Sequence, residues 1–128
     1  MLQSNINQQL QVVEVLNQNL AFPIAIEVQP EQKENNLLAD LSPETPWGAR
    51  KIAAQKLGDM RTPDAFHGLI DALLADPFWM VRCAIIQALE KTGNPRAIPT
   101  LREVAKNDSF QIVRSYAAKA TERLSQEE

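Results

Sequence analysis

The chain has 128 residues, of which 45% are hydrophobic, and a net charge of −3 from 13 basic and 16 acidic side chains. That is one domain's length, enough for a core and too little for two enzyme lobes, and the acidic balance argues against a dedicated nucleic-acid binder. A single cysteine excludes an internal disulfide or a multi-cysteine metal site, and no apolar run approaches the ~20 residues that span a bilayer. The opening residues MLQSNINQQLQ carry neither a basic nor an apolar signal region. A cytoplasmic location without membrane insertion is therefore expected.

Taken in chain order, Asn5 to Asn19 reads as an amphipathic helix with Ile6, Leu10, Val13, Leu16 and the following Leu20 on one side. Ser4 or Asn5 can cap it, and Pro23 ends it. Ile24 to Gln29 then alternates like a half-buried strand with no second strand in sight. It is read as an extended strip on the helices, or as an edge for a partner or for its own copy in a dimer. Residues 1–33 are thereby set apart from a repeat domain at 34–128. Charge divides similarly: the residues before Trp47 sum to −5 and those from Trp47 onward to +2.

From Trp47 the chain repeats itself. WGARKIAAQKL from Trp47, WMVRCAIIQAL from Trp79 and QIVRSYAAKATERL from Gln111 align without gaps, at the same offset each time. Arg50, Arg82 and Arg114 coincide, as do Leu57 with Leu89, Pro63 with Pro95, Asp76 with Asp108, and Phe78 with Phe110. Each unit holds two helical patterns. Trp79 to Lys91 carries Val81, Ala84, Ile85, Ala88 and Leu89 on one face, and Ala97 to Ala105 carries Ile98, Leu101, Val104 and Ala105. The counterpart of the second is Ala65 to Leu74. Gly93-Asn94-Pro95 breaks one unit, and Gly58 through Pro63 is expected to break the other. Glu34 to Leu41 reads as the second helix of an incomplete earlier unit. The last unit has a first helix only, ending near Leu124, where Thr121 replaces the leucine. Neither helix of a unit can bury its face alone, so neighbours must stack. The expected fold is all-α, a short solenoid of about five or six helices.

LGDMRTPDAFHGLIDAL, KTGNPRAIPTL and the links DPFWMVR and DSFQIVR resemble HEAT-like repeats, specifically the short kind of the phycobilisome lyase family. The likeness covers roughly Asn35 to Leu124. It implies a scaffold acting on a phycobiliprotein or a photosynthetic complex, or alternatively a subunit that attaches or detaches bilins. It also implies a ladder in which Glu44, Asp76 and Asp108, each six positions before an arginine, cap helix starts or bridge to a neighbouring arginine.

Chemistry is sparse. His67 and Cys83 are the only soft metal ligands and fall in different helices, so no metal or cofactor is expected. Neither a nucleophile elbow, nor a P-loop, nor a dinucleotide fingerprint occurs, and no catalytic residue is assigned. Cys83 aligns with the polar Lys51 and Ser115, so partial exposure is expected. Partner contacts are expected on the second helices, where His67, Asp71, Thr100 and Glu103 fall outside the apolar stripe. Trp47 and Trp79, with Phe78 and Phe110, are read first as corner packing and second as an exposed aromatic anchor. Apolar surface left at the two chain ends is a further expectation, with homodimerisation as one outcome.

Overall fold

The computed structural model describes residues 29–126. The expected amphipathic helix at 5–19 and the strip at 24–28 lie outside these residues. Apart from Gln29 and Pro30, everything described belongs to one compact unit, Glu31–Glu128. Six α-helices follow in order, with no strand among the described residues: α1 (Pro30–Ala39), α2 (Trp47–Met60), α3 (Pro63–Ala75), α4 (Trp79–Thr92), α5 (Ile98–Asn107) and α6 (Gln111–Gln126). A 3-10 turn, Pro95–Ala97, leads into α5.

The sequence period survives to the level of single backbone positions. α2 and α4 start and stop at equivalent residues, and the residue after each is left-handed, Arg61 at φ 55° and Gly93 at φ 68°. Glycine takes that conformation freely, whereas arginine carries the steric cost of its Cβ. α3 starts at Pro63 behind Thr62, whose hydroxyl accepts from the Ala65 N–H at 3.1 Å. The same segment one unit later begins as a 3-10 turn. Pro99 has no N–H to give the Pro95 carbonyl, so Ile98 donates to it instead, one residue tighter.

The outer helices α2, α4 and α6 pack side by side, and the inner helices α3 and α5 lean against them. α4 shows why stacking is obligatory. Val81, Ala84, Ile85, Ile86, Ala88 and Leu89 are all buried, so both flanks are covered. On α2 the described residues cover only one flank: Ala54 is buried, while Ala49 and Ile52 are exposed. On α6 the arrangement is reversed, with Val113, Ala117 and Ala120 buried and Ala118 exposed.

Two expectations need correction. Gly58 does not break a helix; α2 runs through it to Met60. A Cβ at Gly58 would stand 3.0 Å from the Ala88 Cα, Cβ and carbonyl oxygen, so glycine there lets α2 and α4 approach backbone to backbone. The partial unit is also displaced: α1 covers Pro30–Ala39 and buries none of its own residues. Leu41, beyond its end, enters the core, and Leu38 lies over Gly68 of α3. Glu34 accepts a hydrogen bond from the Thr62 hydroxyl, tying α1 to the start of α3.

Candidate functional site

Beneath the corners between units runs a ladder of buried ion pairs. Arg50 grips Asp76 with its Nε at 2.8 Å and Nη2 at 3.2 Å, and Arg82 grips Asp108 at 2.8 and 3.1 Å. These are two-pronged carboxylate contacts. Each arginine therefore takes the aspartate that follows it, at the end of its own unit. The aspartate that precedes it contributes only a backbone carbonyl, as Asp76 does to Arg82 Nη1 at 3.0 Å. Both aspartates also accept from the helix-starting N–H two positions on, Phe78 and Phe110, at 2.9 Å. Arg50 and Arg82 are both buried. Glu44 is not part of the ladder: it is exposed, and the Pro43 and Thr45 carbonyls take Arg50 Nη1 in its place. Burial works against the charged Asp108 carboxylate, but the Arg82 hydrogen bonds, the Phe110 N–H and the charges of Arg82 and Arg114 hold its carboxyl below the usual range.

Over this ladder lies a column of rings. Trp47 stacks on Phe78 (5.2 Å between centroids, 9° between planes), Phe78 on Trp79 at 6.2 Å, and Trp79 on Phe110 at 6.1 Å. The Arg82 guanidinium sits 5.8 Å from the Phe110 centroid. Trp47 and Phe110 are 45% and 46% exposed, while Phe78 and Trp79 between them are partly buried against the core, so the column is corner packing whose two ends form a surface ridge.

The inner-helix residues are placed as follows. His67, Asp71 and Glu103 are exposed, and Thr100 is half-buried. Asp71 and Glu103 occupy equivalent positions on α3 and α5. They do not converge on one cavity. His67 lines a depression of about 170 Å³ with Arg61, Phe66, Asn94 and Arg96, whereas Asp71 lines one of about 340 Å³ beside Leu38, Leu41 and Gly68. Thr100 and Glu103 line neither, and Glu103 accepts from the Asn107 side-chain amide at 2.5 Å. The His67 ring meets Phe66 edge-on at 5.6 Å.

Cys83 is buried, contrary to expectation. Its polar equivalents Lys51 on α2 and Ser115 on α6 are exposed, whereas α4 is buried on both flanks. Burial pushes the thiol up to about 11, despite the lowering influence of Arg82. It is therefore neither a ready nucleophile nor an accessible anchor for a covalent adduct. Ellman's reagent at pH 7.5 should leave Cys83 unmodified in the folded chain and label it fully once urea unfolds the protein. Rapid labelling of the native form would mean that the packing around Cys83 opens readily.

Among the described residues no group of three or more His, Cys, Asp or Glu side chains is arranged to hold a metal ion, and no helix is long and apolar enough to cross a membrane.

A ladder of buried pairs joining stacked helix pairs defines an α-solenoid repeat protein, a class that presents extended surfaces to protein partners. The family model described as HEAT repeats matches residues 35–122, and the chain belongs to that family. No curated protein and no solved structure matches it.

Proposed function

We propose that the chain is a non-catalytic protein-binding module that engages its partner through the inner-helix strip of His67, Asp71, Thr100 and Glu103. The observation carrying this reading is the register of Asp71 with Glu103, two exposed carboxylates repeated one unit apart on successive inner helices. Such periodic surface charge matches an extended partner better than a small ligand. The resemblance of the repeats to those of phycobilisome lyases makes a phycobiliprotein, or another photosynthetic complex, the partner of choice. The site acts without a metal or other cofactor, and the work is done in the cytoplasm. A bilin-transferring subunit is the competing reading; the buried thiol at Cys83 weighs against a covalent bilin carrier.

Reversing both charges, Asp71→Lys with Glu103→Lys, should weaken capture of purified phycocyanin by about tenfold, or ~1.4 kcal/mol. The helical circular-dichroism signal should not change. Undiminished capture by the folded double variant would move the contact to the Trp47/Trp79 ridge. Bilin transfer by the isolated chain would overturn the non-catalytic reading.

A further inference from the structure

The ladder has three arginines and, among the described residues, carboxylates for two. Arg114 occupies the third position and is half-buried. Its Nη1 donates to the Asp108 carbonyl at 2.6 Å, as Arg82 Nη1 donates to that of Asp76. Its backward contact is therefore the same as in the filled rung. The forward contact differs: no carboxylate among the described residues pairs with Arg114, whereas Arg50 and Arg82 each hold one in a two-pronged grip.

The ring column stops at the same place. Phe110 is 46% exposed and Ile112 beside it 48%. The next position is Gln111, where the two earlier units have Trp47 and Trp79. The Arg114 edge and the exposed Phe110 thus lie together at the start of α6.

What such a corner accepts is shown twice within the molecule. Each filled rung receives the segment aspartate–any residue–phenylalanine: Asp76-Pro77-Phe78 on Arg50, and Asp108-Ser109-Phe110 on Arg82. The carboxylate enters the guanidinium fork, and the ring two positions on stacks against the tryptophan three positions before the arginine, Trp47 or Trp79.

We propose that the Arg114 corner docks an acidic segment of a partner protein, its carboxylate in the open fork and an aromatic residue two positions later over Gln111, the place that Trp47 and Trp79 hold in the earlier units. This rests on the reading of the chain as a protein-binding module and adds a site separate from the inner-helix strip. A second folded copy cannot be the occupant through its own Asp-x-Phe segments, because both are already held by Arg50 and Arg82. The filled rungs bury their pairs, and a docked carboxylate would likewise be shielded from water, which favours the two-pronged arginine contact over a simple charge.

The probe is a fluorescein-labelled peptide with the sequence of residues 106–113, KNDSFQIV, titrated with the whole chain and read by anisotropy. Saturable binding is expected, weakened at least about tenfold by Arg114→Gln and nearly as much by Arg114→Lys, which keeps the charge and loses the fork. A peptide carrying Asp108→Asn should lose the same factor. Gln111→Trp should tighten binding severalfold by supplying the ring that the two earlier units possess. This gain cannot come from a variant that merely misfolds. Equal affinity for wild type and Arg114→Gln, or no saturation by ~1 mM, would overturn the proposal. An Arg114-dependent dimer in sedimentation would also overturn it, by making a second copy the occupant. If the peptide fails while phycocyanin capture still depends on Asp71 and Glu103, this corner falls and the module reading stands.

Discussion

Replacing Arg82 with alanine should cost ~3–5 kcal/mol in urea unfolding, because it leaves Asp108 in a nearly closed site without its counter-ion. The two side chains are 10% and 9% exposed. Arg82 also holds the Asp76 carbonyl and underlies the Phe110 ring, so three contacts go at once. The double variant Arg82→Ala with Asp108→Ala should recover part of the loss, since the stranded charge goes with its partner. Arg114→Ala, which strands no carboxylate among the described residues, should cost about 1 kcal/mol or less. A loss below ~1 kcal/mol for Arg82→Ala would place the pair with ordinary surface ion pairs.

Leu89→Ala should cost ~2–5 kcal/mol, the range for a leucine truncated in a packed interior. Leu89 is fully buried, on a helix flanked by neighbours on both sides, so the void has little room to collapse. Thr121 stands at the equivalent place on α6, half-buried, with its hydroxyl bonded to the Ala117 carbonyl at 2.8 Å. Thr121→Ala should cost under ~1 kcal/mol. Urea midpoints with unchanged m-values would establish both numbers. Similar losses at the two positions would contradict the difference in environment between a middle and an end helix.

How much of this is visible in the sequence depends on whether a feature repeats. The buried stripe, the helix pairs and the constant spacing from Asp76 to Arg82 and from Asp108 to Arg114 can be read because each recurs once per unit. The actual ion-pair partner cannot. The step back from Arg82 to Asp76 and the step forward to Asp108 are equally regular along the chain, and only the fold decides which side chain faces the guanidinium. Glu44 shares the regular spacing yet lies outside the ladder: each aspartate pairs with the arginine 26 positions before it, and the residue at that distance from Glu44 is Gln18. Gly58 reads as a breaker because its role depends on Ala88, on the next outer helix. Cys83 reads as partly exposed by analogy with the polar Lys51 and Ser115, whereas its own helix is buried on both flanks.

The candidate surface is legible in composition and not in geometry. His67, Asp71 and Glu103 emerge on the surface, but separate depressions receive His67 and Asp71. The pattern of the tryptophans suggests inward packing. Trp79 does pack against the core, yet both tryptophans also stack with the phenylalanines in a column whose ends, Trp47 and Phe110, are exposed. The outward flank of the last helix also departs from expectation: Ser115, Ala118 and Glu122 are exposed there, so large exposed apolar side chains are confined to Phe110 and Ile112 at its start.

The equal length of the units has a consequence for how such a chain grows. Every joint is made from the same few groups: a left-handed residue after the outer helix, an aspartate after the inner one, a phenylalanine two positions later. A duplicated copy of residues 79–110, inserted after Phe110, would bring its own tryptophan to that ring and its own aspartate to its own arginine. Gln111 and Arg114 would follow as before, displaced by one unit. Duplication therefore lengthens the inner surface while reproducing the Arg114 corner unchanged, so the two can change independently.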